Sequence, residues 1–474
     1  MLRRLILFPL ACCTVYAALA QTTNLREAVE RAIEQSVVVQ QGQLALRGDE
    51  ITLRQNSMAR YPRLSFQTNG GVQFGLNVDP TTNDLVQQRT SFISPSLDGG
   101  ISIYQGGRIK QSIRQSEAQI ASSEAQVESL EQDVALSVAQ TYLETLLAEE
   151  SVTQTQSRLT NAEAVLSRVT RLIEAGNLAP VEQYEPDSEV ARQRQSLVQA
   201  QNQLELSRLR LRQLMRLPAE EILNLVDPSS IDFDAVTLPD VAGLELYQAA
   251  VQRQPAIRAA RLAEEAAKLG IDVAKTGYYP TLSAFGRLDT RYSSQAKQPI
   301  ATSEVTVNEQ TVFINEMPVT VGFPQPVFGV EDISIGTQFR DFFGQVVGLQ
   351  LSVPILNNGT TKLAVERAQL ALEQSQLASE QERQTLEIEV EQAYQQALAG
   401  QATVIASERA VEAAQAAFDA AERRTELGAS TAFDLTNAQL LLEQAENALL
   451  QARYQFLFNA KVLDFYLGRP LTLN

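Results

Sequence analysis

The sequence predicts a mainly α-helical chain that carries four β-strands, with the whole plan written twice. Three observations predict it. Gln, Ala, Glu and Leu dominate most of the 474 residues, the composition of long helices and coiled coils. The run from Arg108 to Ala175 holds no glycine and no proline. And the chain repeats itself at an offset of 252, without a gap, over more than about a hundred residues.

The repeat is carried by single residues and by short words. Gly107 meets Gly359 and Lys110 meets Lys362. Val138-x-Gln140-x-Tyr142 meets Val390-x-Gln392-x-Tyr394. Arg171, Glu174 and Gly176 meet Arg423, Glu426 and Gly428, and Pro218 meets Pro470. Earlier in each copy the offset shrinks. LREAVERAIEQSVVV (25–39) aligns with LELYQAAVQRQPAIR (244–258) at 219, and Tyr61-Pro62 aligns with Tyr279-Pro280 at 218. The second copy therefore holds an insertion of 34 residues between Pro280 and Gly359. The segment 292–345, rich in Thr, Val, Pro and Gly, holds it and reads as a long loop.

Each copy opens with a helical segment, 24–59 or 242–276, that Tyr-Pro ends because the residue before proline leaves the α region. Period-two stretches follow. RLSFQTNGGVQFG (63–75) sets Leu64, Phe66, Val72 and Phe74 on one parity, and GGISIYQ (99–105) pairs Ile101 with Ile103. TLSAFGRLDTRY (281–292) is a weaker strand, and VVGLQLSV (346–353) alternates cleanly. The long run comes next. At 1.5 Å per residue a helix over 108–175 extends roughly 100 Å, more than one globular core can cover. Val127, Leu130, Val134, Val138 and Tyr142 form a seam at threes and fours, with Leu136, Leu143 and Leu147 as a flanking stripe, which is coiled-coil packing with a second contact line. Gly176 reverses the chain and 181–217 returns; the second copy runs 360–427 and returns over 431–467. The domain plan is a leader over 1–20, a first repeat over 21–217, a linking segment over 218–241 and a second repeat over 242–474.

The N-terminus, MLRRLILFPLACCTVYAALAQ, has a basic start, an apolar stretch and an Ala-Leu-Ala cleavage site, the pattern of a secretory signal. Acylation at Cys12 is the variant reading. The formal charge is −17, and loss of Arg3 and Arg4 with the leader makes it −19. Cleavage also removes Cys12 and Cys13, the only cysteines, so no disulfide framework is expected. The acidic balance argues against a nucleic-acid partner. There is no histidine, no mature cysteine and no G-x-x-x-x-G-K-[ST] word, so neither an enzyme nor a nucleotide, cofactor or metal site is expected.

Strands of about ten residues are long enough to cross a bilayer when tilted. Four of them cannot close a barrel, and an open edge in lipid leaves backbone groups unpaired. A membrane role thus requires several chains, three giving twelve strands or four giving sixteen. A soluble fibrous protein with a small β head is the competing reading, since Arg287 and Asp289 sit in one strand.

Taken in order, the words resemble the TolC family of outer-membrane channel proteins over essentially the whole mature chain. IYQGGRIKQSIRQSEA (103–118) and LSVPILNNGTTKLAVERAQ (351–369) resemble its strand-to-helix passages. ELGASTAFDLTNAQLLLEQAENALLQARY (426–454) resembles its second periplasmic tip and returning helix. FGLNVDPTTNDLVQQR (74–89) and NAKVLDFYLGRPL (459–471) are similar to members from Bacteroidetes-like bacteria. The resemblance implies a homotrimer in outer-membrane lipid, a twelve-stranded barrel continued by a periplasmic tunnel of helical hairpins, and an equatorial region near 218–245 and the C-terminus. It implies docking to a periplasmic adaptor and an inner-membrane RND or ABC transporter. The function expected is the exit duct of an efflux system; a protein-secretion duct and a soluble coiled-coil scaffold are the alternatives.

The resemblance also directs attention to particular residues. A ring of aspartates commonly narrows the family's tip, and Asp434 stands at its first position, with Asn437 departing at the second; Glu182 and Glu185 are the first-copy equivalents. Arg171, Leu172, Gly176, Asn177, Leu178, Arg423, Leu427, Gly428, Ala429 and Ser430 are the expected adaptor-docking tips. Tyr61, Phe66, Phe74, Tyr104, Tyr279, Phe285 and Tyr292 are the expected aromatic girdle, in a chain without tryptophan.

Overall fold

A computed structural model describes residues 22–78, 85–87, 89–218, 223–228, 231–233, 235–238, 243–314, 316–427, 429, 432–469 and 471. The leader, Gly428 and Ser430 lie outside the described residues. The chain forms two compact units, one from residues up to Glu50, Ala118–Glu265 and Leu372 onward, the other from Ile51–Glu117 and Ala266–Ala371.

The repeat is written into element boundaries. Helices α1 (Leu25–Gln35) and α2 (Val37–Met58) precede α3 (Arg108–Glu174) and α4 (Tyr184–Met215). Their counterparts are α5 (Gly243–Arg253), α6 (Pro255–Lys275), α8 (Thr360–Glu426) and α9 (Ala432–Tyr466), with a short α7 (Ile335–Asp341) between. The two long helices, α3 and α8, have 67 residues each and begin and end 252 apart. The early helices correspond at 218, not 219: α1 and α5 start together at that offset, and buried Ala28 and Ala32 meet buried Leu246 and Ala250. Burial decides the register where residue identity is ambiguous. Each early helical segment is also two helices, interrupted at Ser36 and at Gln254.

Helix ends explain themselves. Asn24 accepts from the Glu27 N–H at 2.9 Å while the Glu27 carboxylate accepts from the Asn24 N–H at 3.3 Å, a capping box that starts α1. After α3, Gly176 takes φ +75°, with Asn177 N–H donating to the Leu172 carbonyl and Gly176 N–H to that of Ile173. This is a Schellman stop, which needs a left-handed residue. At the second tip Ala429 N–H donates to the Arg424 carbonyl, the same bond 252 residues later.

In the mostly helical unit the repeats build two larger cores and, around Leu159, Ala162 and Val190, a smaller one among the described residues. Leu25, Ala28, Val138, Tyr142, Leu146 and Leu211 anchor the first, and Leu246, Ala250, Val390 and Leu463 the second. Leu223 and Leu225 of the linking segment also enter the first core. Tyr142 explains how: its hydroxyl donates to the Thr23 carbonyl at 2.9 Å and accepts from the Val226 N–H at 3.4 Å. Burial pushes the Tyr142 phenol up to about 12, so it stays a donor at physiological pH.

The other unit holds the sheet. Strands β1 (Arg63–Gln73), β2 (Leu76–Val78), β3 (Leu85–Gln87) and β4 (Thr90–Gln105) come from the first copy. Strands β5 (Thr281–Asp289), β6 (Tyr292–Ser293), β7 (Lys297–Ile314), β8 (Met317–Asp332) and β9 (Gly344–Ser352) come from the second. The main sheet runs β1-β4-β5-β9, antiparallel throughout, with β6 also on β4. β4 is 16 residues long, well beyond the expected 99–105. The segment 292–345 is not a loop: β7 and β8 form a long hairpin, and α7 packs on β6. Gln338 of α7, 1% exposed, explains the packing; its amide bonds both the N–H and the carbonyl of Ser293 and the carbonyl of Ile333. Thr, Val and Pro there suit an exposed hairpin as well as a loop. No helix among the described residues is long and apolar enough to cross a membrane.

Candidate functional site

The register gives the main sheet two chemically distinct faces. Pairing sets Leu64 opposite Gly99 and Phe66 opposite Leu97, then Leu97 opposite Leu288 and Ile101 opposite Ala284, then Leu282 opposite Leu351 and Ala284 opposite Leu349. All these side chains share one face, because residues two apart and cross-strand partners point the same way. That face carries no charged residue, yet Leu64 is 70% exposed, Phe66 68%, Leu349 69% and Val347 89%. The other face carries Arg63, Ser65, Gln67, Asn69, Asp98, Arg287, Asp289 and Gln350. The charges of the strands thus lie on the polar face, where Arg287 Nε meets Asp98 Oδ1 at 2.5 Å. A cleft of about 1450 Å³ opens beside it, lined by polar residues such as Arg63, Arg108, Ser283 and Ser352 and by apolar ones such as Met58, Phe285 and Val346.

β1 and β9 are the outer strands of this sheet and carry no further strand among the described residues. Strand direction alternates across the four, so β1 and β9 run oppositely.

The expected aromatic girdle separates by position. Tyr61, Tyr104 and Tyr279 lie at the helical end of the strands, each about half exposed or more. Phe74 follows β1 at the other end, with Arg89 over its ring, and Tyr292 opens β6 opposite Ile93. Phe66 lies on the apolar face itself. Phe285 does not share that face: pairing with Gly100 and Gly348 puts it among the polar residues, where Gly348 leaves room for its ring.

At the hairpin tips Arg171, Leu172, Asn177, Leu178, Arg423, Leu427 and Ala429 are exposed, as is Gly176. Pro180–Gln183 form a 3-10 turn that leads into α4, with Glu182 exposed on it. Asp434 is in the first turn of α9 and Asn437 is exposed one turn on. Between them Thr436 donates its hydroxyl to Glu185 Oε1 at 2.8 Å. The bond brings the first turns of α4 and α9 together within one chain.

That bond is the outermost rung of a ladder that the sequence did not disclose. Gln193 donates to Glu443 at 3.1 Å, Arg158 pairs with Glu446 at 2.8 Å and donates to Asn447 at 3.1 Å, and Tyr454 donates to Glu150 at 3.3 Å. Every rung joins α3 or α4 to α9. Farther from the tips, burial raises the carboxyl of Glu389 above its ordinary range, against a weaker opposing hydrogen bond from Tyr466 and with Glu382 and Asp133 adding to the rise. Burial raises Asp133 as well.

A family model described as outer membrane efflux protein matches residues 28–215 and 246–469. No curated protein matches the chain. Several solved structures share its fold. CusC, solved in work on folding and transmembrane channel formation, superposes with TM-score 0.73 at 18% identity, covering 96% of each chain. The outer-membrane channel OprN gives 0.70 at 20%, covering 94% of this chain and 90% of that one. The open state of the Neisseria gonorrhoeae MtrE outer membrane channel gives 0.69 at 18%, covering 95% and 90%.

Proposed function

Since this chain belongs to the outer membrane efflux protein family, we propose that three copies close one twelve-stranded barrel in the outer membrane and form the exit duct of an efflux system. The single observation that carries this reading is the two-faced sheet whose outer strands have no further strand beside them among the described residues. An uncharged, exposed apolar face suits lipid, and a polar face suits a water-filled lumen. Open strand edges are not tolerated in hydrocarbon, so β9 of one copy must pair with β1 of the next. Their opposite directions make that pairing antiparallel, and three such joints return to the start.

In this reading the helical hairpins lie in the periplasm. The repeats, 21–217 and 242–474 joined by 218–241, each supply one hairpin. The exposed tips around Arg171, Gly176, Arg423 and Leu427 dock a periplasmic adaptor, which connects the duct to an inner-membrane RND or ABC pump. Asp434, Glu182 and Glu185, repeated threefold, form acidic rings that favour cations at the narrow end. The duct moves cargo passively.

Mass measurement after detergent extraction from the outer-membrane fraction tests the reading. A trimer that conducts ions in a planar bilayer is expected. A monomer released by buffer alone, with no conductance, would leave the hairpins as a soluble scaffold. Gene deletion then reads the cargo: raised sensitivity to small toxic compounds supports efflux, and loss of one secreted polypeptide supports protein secretion instead.

A further inference from the structure

We propose that the strand-to-helix passages form a basic collar that binds the anionic phospholipid headgroups of the periplasmic leaflet; the proposal rests on reading the sheet as a membrane barrel. The passages are the parts of the sheet-bearing unit on its helical side: 51–63, 106–117, 266–280 and 354–371. They hold ten basic residues and three acidic ones, in a chain with 39 basic and 56 acidic residues. The charge is concentrated where the chain as a whole is acidic.

The four segments form one band in space. Asn56 Nδ2 donates to Ser116 Oγ at 2.9 Å, joining the first two. Thr361 Oγ1 donates to the Gly277 carbonyl at 3.3 Å, joining the last two. Gly106 lies against Tyr279, where an added Cβ would come within 2.5 Å of the ring-bearing carbon, joining the pairs. Arg60, Lys110, Arg114 and Lys275 stand within ten residues of a strand end, and Lys362 is in the first turn of α8.

Lumen and lipid are the two environments such charges could serve, and position distinguishes them. Arg63 and Arg108 line the cleft on the face that carries Arg287 and Asp98; the other eight basic residues do not. All ten are exposed. Lys275 and Lys362 meet only exposed carboxylates one turn away, at 3.6 and 3.8 Å, contacts worth little in water. Arg60, Lys110 and Arg114 form no ion pair with a described residue.

Their neighbours are those of a membrane interface. Tyr61 is 72% exposed and Tyr278 54%, amphipathic rings suited to headgroup depth. Ile355 and Leu356, just past β9, are about nine-tenths exposed, an arrangement that water alone would disfavour. Apolar side chains at the strand ends, tyrosines beside them and long cations beyond follow the polarity gradient from acyl chain to phosphate.

The test measures lipid carried by the purified full-length protein through gel filtration. Micelles containing equal dioleoylphosphatidylglycerol and dioleoylphosphatidylcholine are the probe. Retention of phosphatidylglycerol about tenfold over phosphatidylcholine in low salt is expected, falling towards parity in 0.5 M NaCl. The R60Q/K110Q/R114Q/K275Q variant should lose the preference and retain the two lipids nearly equally. An R171Q/R423Q/R424Q variant at the tips should keep it. Equal retention of both lipids by the wild type, or an unchanged preference in the quadruple variant, overturns the collar. So does a shifted reversal potential in the quadruple variant with unchanged lipid preference, which assigns the charges to the lumen. Conductance without lipid preference defeats the collar and leaves the duct; preference without conductance does the reverse.

Discussion

Thr436 on α9 donates its hydroxyl to the carboxylate of Glu185 on α4, at 2.8 Å, and thereby ties the tip of the second hairpin to that of the first. Both side chains are half-buried, so water competes for the bond only in part. A hydrogen bond to a carboxylate is worth about 1.5–3 kcal/mol when desolvated, and about 1 kcal/mol is a fair share here. T436V removes the donor at nearly constant shape. If the tips must part for the duct to open, each chain of the trimer loses one such bond, and the variant should spend at least about fivefold more time in the conducting state in bilayer recordings. Currents identical to the wild type would show that this rung does not hold the tip closed.

Two adjacent glycines separate backbone strain from steric exclusion. Gly106 and Gly107 take φ of +61° and +83°, so alanine at either meets the left-handed penalty of about 1 kcal/mol. At Gly107 the new methyl enters open space. At Gly106 it would sit 2.5 Å from Tyr279 Cβ and 3.0 Å from the Thr276 carbonyl oxygen. G107A should assemble with a slightly lowered melting temperature, and G106A should fail to accumulate as folded protein. Thermal melts and outer-membrane yield compare them directly. Equal behaviour of the two would show that the passage relaxes around the added methyl.

The long helices were legible because their physics is local. Nothing between Arg108 and Ala175 interrupts a helix, and Gly176 supplies the residue its Schellman stop requires. The strand β1 was legible for the same reason, through the parity of Leu64, Phe66 and Val72. The hairpin β7–β8 was not, because Pro299, Pro318, Pro324 and Pro326 read as breakers; all four stand on a two-stranded sheet whose outer edges need no ladder partner. The Arg287 charge, which argued against a membrane strand, became consistent with one only when register set it opposite Asp98 on the polar face. The ladder from Glu185 to Tyr454 depends on which helices lie side by side. No spacing along one helix encodes that.

The buried acids give the helical unit a pH dependence with a definite sign. Glu389 has its carboxyl raised mainly by burial, and the folded form therefore binds its proton more readily than the unfolded chain does. Such a group costs stability above its folded value, and the cost disappears as pH falls to the ordinary carboxylate range. Asp133 and Glu131 act in the same sense, again through burial first. E389Q keeps an acceptor for the Tyr466 hydroxyl, 3.4 Å away, and removes the charge. The variant should melt above the wild type at pH 7.5 and level with it near pH 4. A gain that persists unchanged at low pH would assign the effect to packing rather than ionisation.

The two faces of β9 offer the sharpest test of where lipid lies. Val347 is near the middle of the strand, 89% exposed, and its register partner Gly286 lies on the apolar face. Gln350, three residues on, pairs with Ser283 on the polar face. An arginine costs about 2–4 kcal/mol at the middle of a lipid-facing barrel strand and little where it meets water. Threefold assembly applies that cost three times in V347R. The variant should yield little or no heat-resistant oligomer in the outer-membrane fraction. Q350R adds the same side chain to the same strand and should assemble at the wild-type level, with a conductance shifted by its new lumen charge. Both variants differ from the wild type by one arginine, so expression and net charge cancel from the comparison. Equal accumulation of V347R and Q350R would mean that the exposed apolar face is covered by protein, and the barrel would have to be abandoned.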